Sequence, residues 1–96
     1  MTHENFLEAL ELALNRTESE LEQARQAGNF SLTCDLSTAK ESLEVIRLEL
    51  NGGPQRPRGQ RSASFIRYVI DEEPRMVMDR ELRDLVVQIE DVYDRY

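Results

Sequence analysis

The sequence predicts a mainly α fold: an antiparallel helical hairpin, a flexible arginine-rich linker, and a C-terminal amphipathic helix, with the helical bundle completed by oligomerisation. Three observations carry this expectation. Apolar residues recur at alternating spacings of three and four in three separate stretches. Gly28 and the run Asn51-Gly52-Gly53-Pro54 interrupt that rhythm where helices would stop. Residues 52–64 contain no large apolar side chain and so have nothing to bury. The expected organisation is a hairpin over 1–51, a linker over 52–64 and a helical segment over 65–96.

The first helix opens with Thr2 as a cap and Glu4 in its first turn, where the helix dipole favours an acid. Its apolar stripe is Leu7, Leu10, Leu14, Thr17, Leu21 and Ala24, and Ala27-Gly28-Asn29 ends it. The second helix, starting at Ser31 or at Ser37, repeats the pattern with Leu32, Leu36, Ala39, Leu43, Ile46 and Leu50. Folded back on each other, the stripes meet in register from Leu7 with Leu50 to Ala24 with Leu32. The small pair Thr17 and Ala39 shares one layer of a hairpin about 35 Å long.

Residues 65–70, Phe-Ile-Arg-Tyr-Val-Ile, have the β-branched and aromatic content of a strand. The helical context and Ser64 as a cap favour a short helix, which is the expectation. The last helix carries Met78, Leu82, Leu85, Ile89, Val92 and Tyr96, widened by Val86 and Tyr93. It is expected to start at Pro74 or Asp79 and to run to Tyr96. The pairs Asp79–Arg83, Arg80–Asp84 and Asp91–Arg95 would support it at i,i+4. Asp71-Glu72-Glu73 reads as a solvated charge cluster at a helix start.

The composition, 40% hydrophobic and 32% charged, is too apolar for a disordered chain. No apolar run approaches the ~20 residues of a membrane span, so no membrane association is expected. Residues 1–5 lack the basic and apolar regions of a secretory signal. With a single cysteine, Cys34, an intramolecular disulfide is impossible. Both features point to the cytoplasm.

Catalysis is not expected, and no catalytic, cofactor-binding or metal-ligating residue is assigned. Cys34 is the one thiol and His3 the one imidazole, and His3 sits at the N-terminus. A thiol nucleophile needs a base within reach, and zinc needs several converging ligands. There is no Glu-x-x-His pair of the kind that holds carboxylate-bridged metals in helical bundles, and no glycine-rich phosphate loop precedes a helix.

The net charge of −7 is unevenly spread. Two acidic blocks flank a basic connector that carries Arg56, Arg58, Arg61 and Arg67. Two candidate surfaces follow. Glu4, Glu8, Glu11, Glu18 and Glu22 form an acidic row on the first helix, broken by Asn15. Such a row suits docking of another protein with a basic surface. The connector arginines could instead bind phosphates, which makes a nucleic-acid-associated regulator the alternative. The flanking acids, which repel a polyanion, weigh against it. Phe6, Leu12, Phe30, Val45, Leu48, Val77, Val86 and Tyr93 exceed what one two-helix seam covers, so a homo-oligomer is expected. The leading reading is a protein–protein interaction module: an adaptor, an inhibitor or immunity factor, a small chaperone, or an assembly subunit.

Overall fold

Among the described residues four helices, α1 (His3–Gln26), α2 (Phe30–Leu50), α3 (Phe65–Glu72) and α4 (Arg80–Asp94), follow one another. They come from a computed structural model that describes residues 2–60 and 64–96, and there is no strand among the described residues.

Local chemistry sets the boundaries. Thr2 caps α1, its hydroxyl accepting from the Asn5 amide at 3.2 Å. At the other end Asn29 N–H donates to the Ala24 carbonyl (2.9 Å) and Gly28 N–H to that of Arg25 (3.1 Å). Gly28 has a φ of +67°, as this type of helix ending requires. Asn29 then caps α2, its side chain accepting from Leu32 N–H at 3.1 Å. One residue thus closes one helix and opens the next. For that reason α2 starts at Phe30, before the expected Ser31 or Ser37. Its far end is fixed by Gly53, where a Cβ would lie 2.9 Å from the Leu48 carbonyl oxygen.

The hairpin and the C-terminal half form one body, with a radius of gyration of 13.0 Å, close to the ~12.5 Å of a compact chain this long. Arg16 pairs with Asp79 at 3.2 Å, and Phe6 stacks on Tyr93 at 6.2 Å. These contacts run α4 antiparallel to α1. α3 packs on α2 and α4. The core draws on all four helices, from Phe6, Leu10 and Leu14 through Leu36, Leu43 and Ile46 to Phe65, Leu82, Val86, Ile89 and Tyr93.

This packing corrects the expected stripes. α1 faces two neighbours, so its buried arc is wider and turned toward α4. Phe6 and Ala13 enter the core, and Leu7 swings out to 38% exposure. On α4 the centre shifts to Leu82, Val86, Ile89 and Tyr93, with Leu85 and Val92 half-buried and Tyr96 exposed. Phe6, Val86 and Tyr93 are therefore core rather than surplus. Leu12, Phe30, Val45, Leu48 and Val77 remain exposed.

Residues 65–70 are helical. The segment that could have paired with them as a strand, 76–78, gives the Val77 and Met78 amides to Asp35 instead. α4 ends at Asp94 and not at Tyr96, because Arg95 and Tyr96 close tighter turns onto Val92 and Tyr93. The acids 71–73 sit at the end of α3 rather than at a helix start. The dipole disfavours them there, and Arg75 and Arg83 offset Glu72 and Glu73 at 3.7 Å each. Of the three pairs expected to brace the last helix, Asp91–Arg95 forms. Asp79 instead caps α4 through Leu82 N–H (3.0 Å) and pairs with Arg16, while Asp84 pairs with Arg83. The Leu82 amide first, and Arg16 after it, hold Asp79 below the ordinary carboxylate range.

Candidate functional site

α1 presents Glu4, Glu8, Glu11, Glu18 and Glu22 along its solvent side, and all five are exposed. Glu4 to Glu22 spans about 27 Å of helix. None of the five makes a side-chain hydrogen bond or ion pair among the described residues. Acids elsewhere are mostly matched: Glu20, Glu44, Glu49, Glu72, Glu73, Asp79, Asp84 and Asp91 each have an arginine or lysine within 4.0 Å. Glu4–Glu8 and Glu18–Glu22 face each other at i,i+4, which costs a few tenths of a kcal/mol per pair. Leu7, three residues from Glu4 and four from Glu11, adds an apolar edge to the row.

Among the described residues the connector arginines do not form a comparable surface. Arg56 donates through Nε to Glu49 at 2.7 Å, and Arg58 donates to the backbone carbonyl of Tyr96 at 3.0 Å. Arg67 is exposed on α3, and Arg61 lies outside the described residues. The arm expected to be free for phosphates is thus partly fixed to the body of the protein.

What sequence reasoning missed is a line of buried polar groups on α2. Asp35, Ser42 and Glu49 stand seven residues apart and are nearly fully buried, so each lies about 10 Å from the next on one side of the helix. Each holds a different part of the C-terminal half. Asp35 accepts from the Tyr68 hydroxyl (2.6 Å), Val77 N–H (2.8 Å) and Met78 N–H (3.2 Å). Ser42 donates to Glu90, whose carboxylate also accepts from Phe65 N–H (3.1 Å), Ile66 N–H (3.0 Å) and the Ser64 hydroxyl (3.3 Å). Glu49 accepts from the Tyr93 hydroxyl and Arg56, both at 2.7 Å.

Glu90 is fully buried, and its side-chain oxygens face the first amides of α3. It supplies the cap that Ser64 does not, since Ser64 makes no cap bond within α3. Burial acts to raise the Glu49 pKa, but the Tyr93 and Arg56 donors outweigh it and hold it below the ordinary value. Burial first, and the Asp35 carboxylate second, push the Tyr68 hydroxyl well above a normal phenol. These groups bind the protein's own chain and leave no buried side-chain polar atom without a partner among the described residues. The available signal was the seven-residue spacing of Asp35, Ser42 and Glu49 beside the apolar stripe, a period that a solvated face has no need to keep.

Cys34 is half-buried, and His3 lies against Tyr96 at the opposite end of the hairpin. Among the described residues no group of three or more His, Cys, Asp and Glu could hold a metal ion. No helix there is long and apolar enough to cross a membrane. The chain matches no family model, no curated protein and no solved structure.

Proposed function

We propose that this protein is a non-catalytic protein–protein interaction module that docks a basic partner on the acidic row of α1. The observation that carries this reading is the contrast in charge matching. Most acids elsewhere have a cation within 4.0 Å, whereas Glu4, Glu8, Glu11, Glu18 and Glu22 stand exposed with no ion pair among the described residues. A row that costs a little in self-repulsion gains when a complementary surface covers it. Roles consistent with such docking are adaptor, inhibitor or immunity factor, small chaperone and assembly subunit. The single cysteine suits a reducing compartment, and we place the protein in the cytoplasm. The alternative, a nucleic-acid-associated regulator, is weakened by the ties of Arg56 and Arg58. Self-association would use a different surface from the row.

The test is titration with a synthetic amphipathic helical peptide, basic on one side and leucine-bearing on the other, followed by amide chemical-shift mapping. The expected shifts fall on residues 4–22. Salt should weaken binding, since exposed charges are screened over ~8–10 Å. Glu11→Lys combined with Glu18→Lys should slow association several-fold with the fold intact. A mixed-sequence oligonucleotide is the counter-probe. Shifts confined to the connector and α3, with the oligonucleotide bound and the peptide not, would replace this reading with the anionic-ligand one.

A further inference from the structure

A recess of about 220 Å³ opens where α2, the connector and the start of α3 meet. Thr38, Ser42 and Val45 line it from α2, Arg56 from the connector and Ser64 from the start of α3, with the exposed Glu41 beside them. Three of these six side chains carry a hydroxyl and one a guanidinium. Such donors suit a phosphate group, whose oxygens only accept.

Arg56 decides what the recess can do. Its Nε donates to Glu49 at 2.7 Å, and the two side chains differ in access: the arginine is 31% exposed and the carboxylate 5%. A solute can reach the cation and not the acid. Glu49 also accepts from the Tyr93 hydroxyl at 2.7 Å, so it keeps a donor when Arg56 turns away. Asp35 and Glu90 stand on the same side of α2 with neutral donors alone among the described residues, so a buried carboxylate there does not require a cation. The hydroxyls differ in the same way. Thr38 donates to the Cys34 carbonyl at 2.9 Å, and Ser42 is held by Glu90. Ser64 is exposed, and its bond to Glu90, at 3.3 Å, is the longest made to that carboxylate among the described residues. It is the hydroxyl most easily turned to a ligand.

We propose that this recess is a phosphate-binding site gated by Glu49, in which Arg56 turns from the carboxylate to the ligand and the Ser64 hydroxyl completes the contact. The ligand chemistry is a phosphate group, carried by a nucleic-acid backbone or by a small free phosphate. The tie that keeps the connector from acting as a free basic arm is then the gate of the site. Glu41 and the net charge of −7 oppose an anion, so the affinity is low and depends on salt. The site lies apart from the acidic row and does not depend on a basic partner docking there.

Titration of the full chain with inorganic pyrophosphate at constant ionic strength, followed by amide chemical shifts, tests this. The shifts should fall on residues 38–45, 56 and 64. Glu49→Gln removes the competing charge and should bind about tenfold more tightly. Arg56→Gln and Ser64→Ala should each bind several-fold more weakly. Glu44→Gln removes the same charge from an exposed position of α2 and should change the affinity less than about twofold. A single-stranded oligonucleotide titrated alongside separates the sources. Tighter binding of the oligonucleotide assigns the phosphate to a nucleic-acid backbone, and tighter binding of pyrophosphate assigns it to a free ligand. The proposal is overturned by a Glu49→Gln variant that binds no more tightly than wild type or than Glu44→Gln. An Arg56→Gln variant that keeps the full affinity overturns it too, as do shifts confined to residues outside the recess. If neither probe binds Glu49→Gln at about 10 mM, the site does not exist and Arg56 only ties the connector down.

Discussion

The two interfaces of α2 are built on different principles. Toward α1 it presents Leu36, Ala39, Leu43 and Ile46, all fully buried, in a seam held by apolar contact. Toward α3, α4 and the connector it presents Asp35 and Glu49, which accept from donors in those segments, and Ser42, which donates to Glu90. The first kind of interface tolerates sliding and repacking, because apolar contact has little direction. The second fixes register, because each carboxylate fits particular amides and hydroxyls. One helix thus supplies general cohesion on one side and positional specificity on the other.

The sharpest way to break the apolar side is Leu14→Asp. It buries an unpaired charge in the core and should cost on the order of 5 kcal/mol, comparable with the whole stability of a small domain. Thermal melts should find it unfolded or nearly so, with the solvent-facing Glu18→Ala within about 0.5 kcal/mol of wild type. Equal melting of the two variants would dismantle the seam.

Glu90→Gln attacks the polar side. The Phe65 and Ile66 amides use different carboxylate oxygens, so the glutamine NH2 replaces the acceptor of one of them with a donor. The expected loss is about 2–4 kcal/mol by chemical denaturation. Hydrogen exchange should speed up first in α3. Uniform acceleration, with the α1–α2 seam opening alongside α3, would erase the distinction between the interfaces.

The smallest expected effect depends on pH. The folded-state pKa of Glu49 is depressed, so its contribution is complete above the unfolded carboxylate value and is lost as pH falls through the folded one. Glu49→Gln should therefore be less stable than wild type at pH 7, by about 1–2 kcal/mol. The two melting temperatures should converge on acidification below pH ~4. A gap that stays constant from pH 7 to pH 3 would show that packing, and not charge, sets the value of this residue.

The apolar side was legible because a helix repeats every 3.6 residues and the solvent does not. Thr2, Gly28 and Asn51 mark helix ends through chemistry confined to a few neighbours, and the exposure of the acidic row follows from the same period. Leu7 and Phe6 show the limit. They are adjacent and both apolar, and which one is buried depends on where α4 docks, a choice made by residues some 80 positions away. Asp35, Ser42, Glu49 and Glu90 were illegible for a related reason. A carboxylate reads as solvated unless its donors are known, and these donors, Arg56 apart, lie 24 to 48 residues away in sequence. Arg56 was read as part of a free arm because its tie to Glu49 needs the connector to fold back onto the end of α2.

The turn at 27–29 has a consequence for how the chain reaches its structure. Asn29 serves both helices, so closing the hairpin orders three residues and little loop entropy opposes it. The C-terminal half must close a connector several times longer before Asp35, Ser42 and Glu49 find their partners. Conservative substitutions near Leu21 and Leu36 should then slow refolding nearly as much as they destabilise the protein. Substitutions in α4 should act almost wholly on the unfolding rate. The polar latches should then form last on refolding and open first on unfolding, with the acidic row on α1 resting on the half expected to form first.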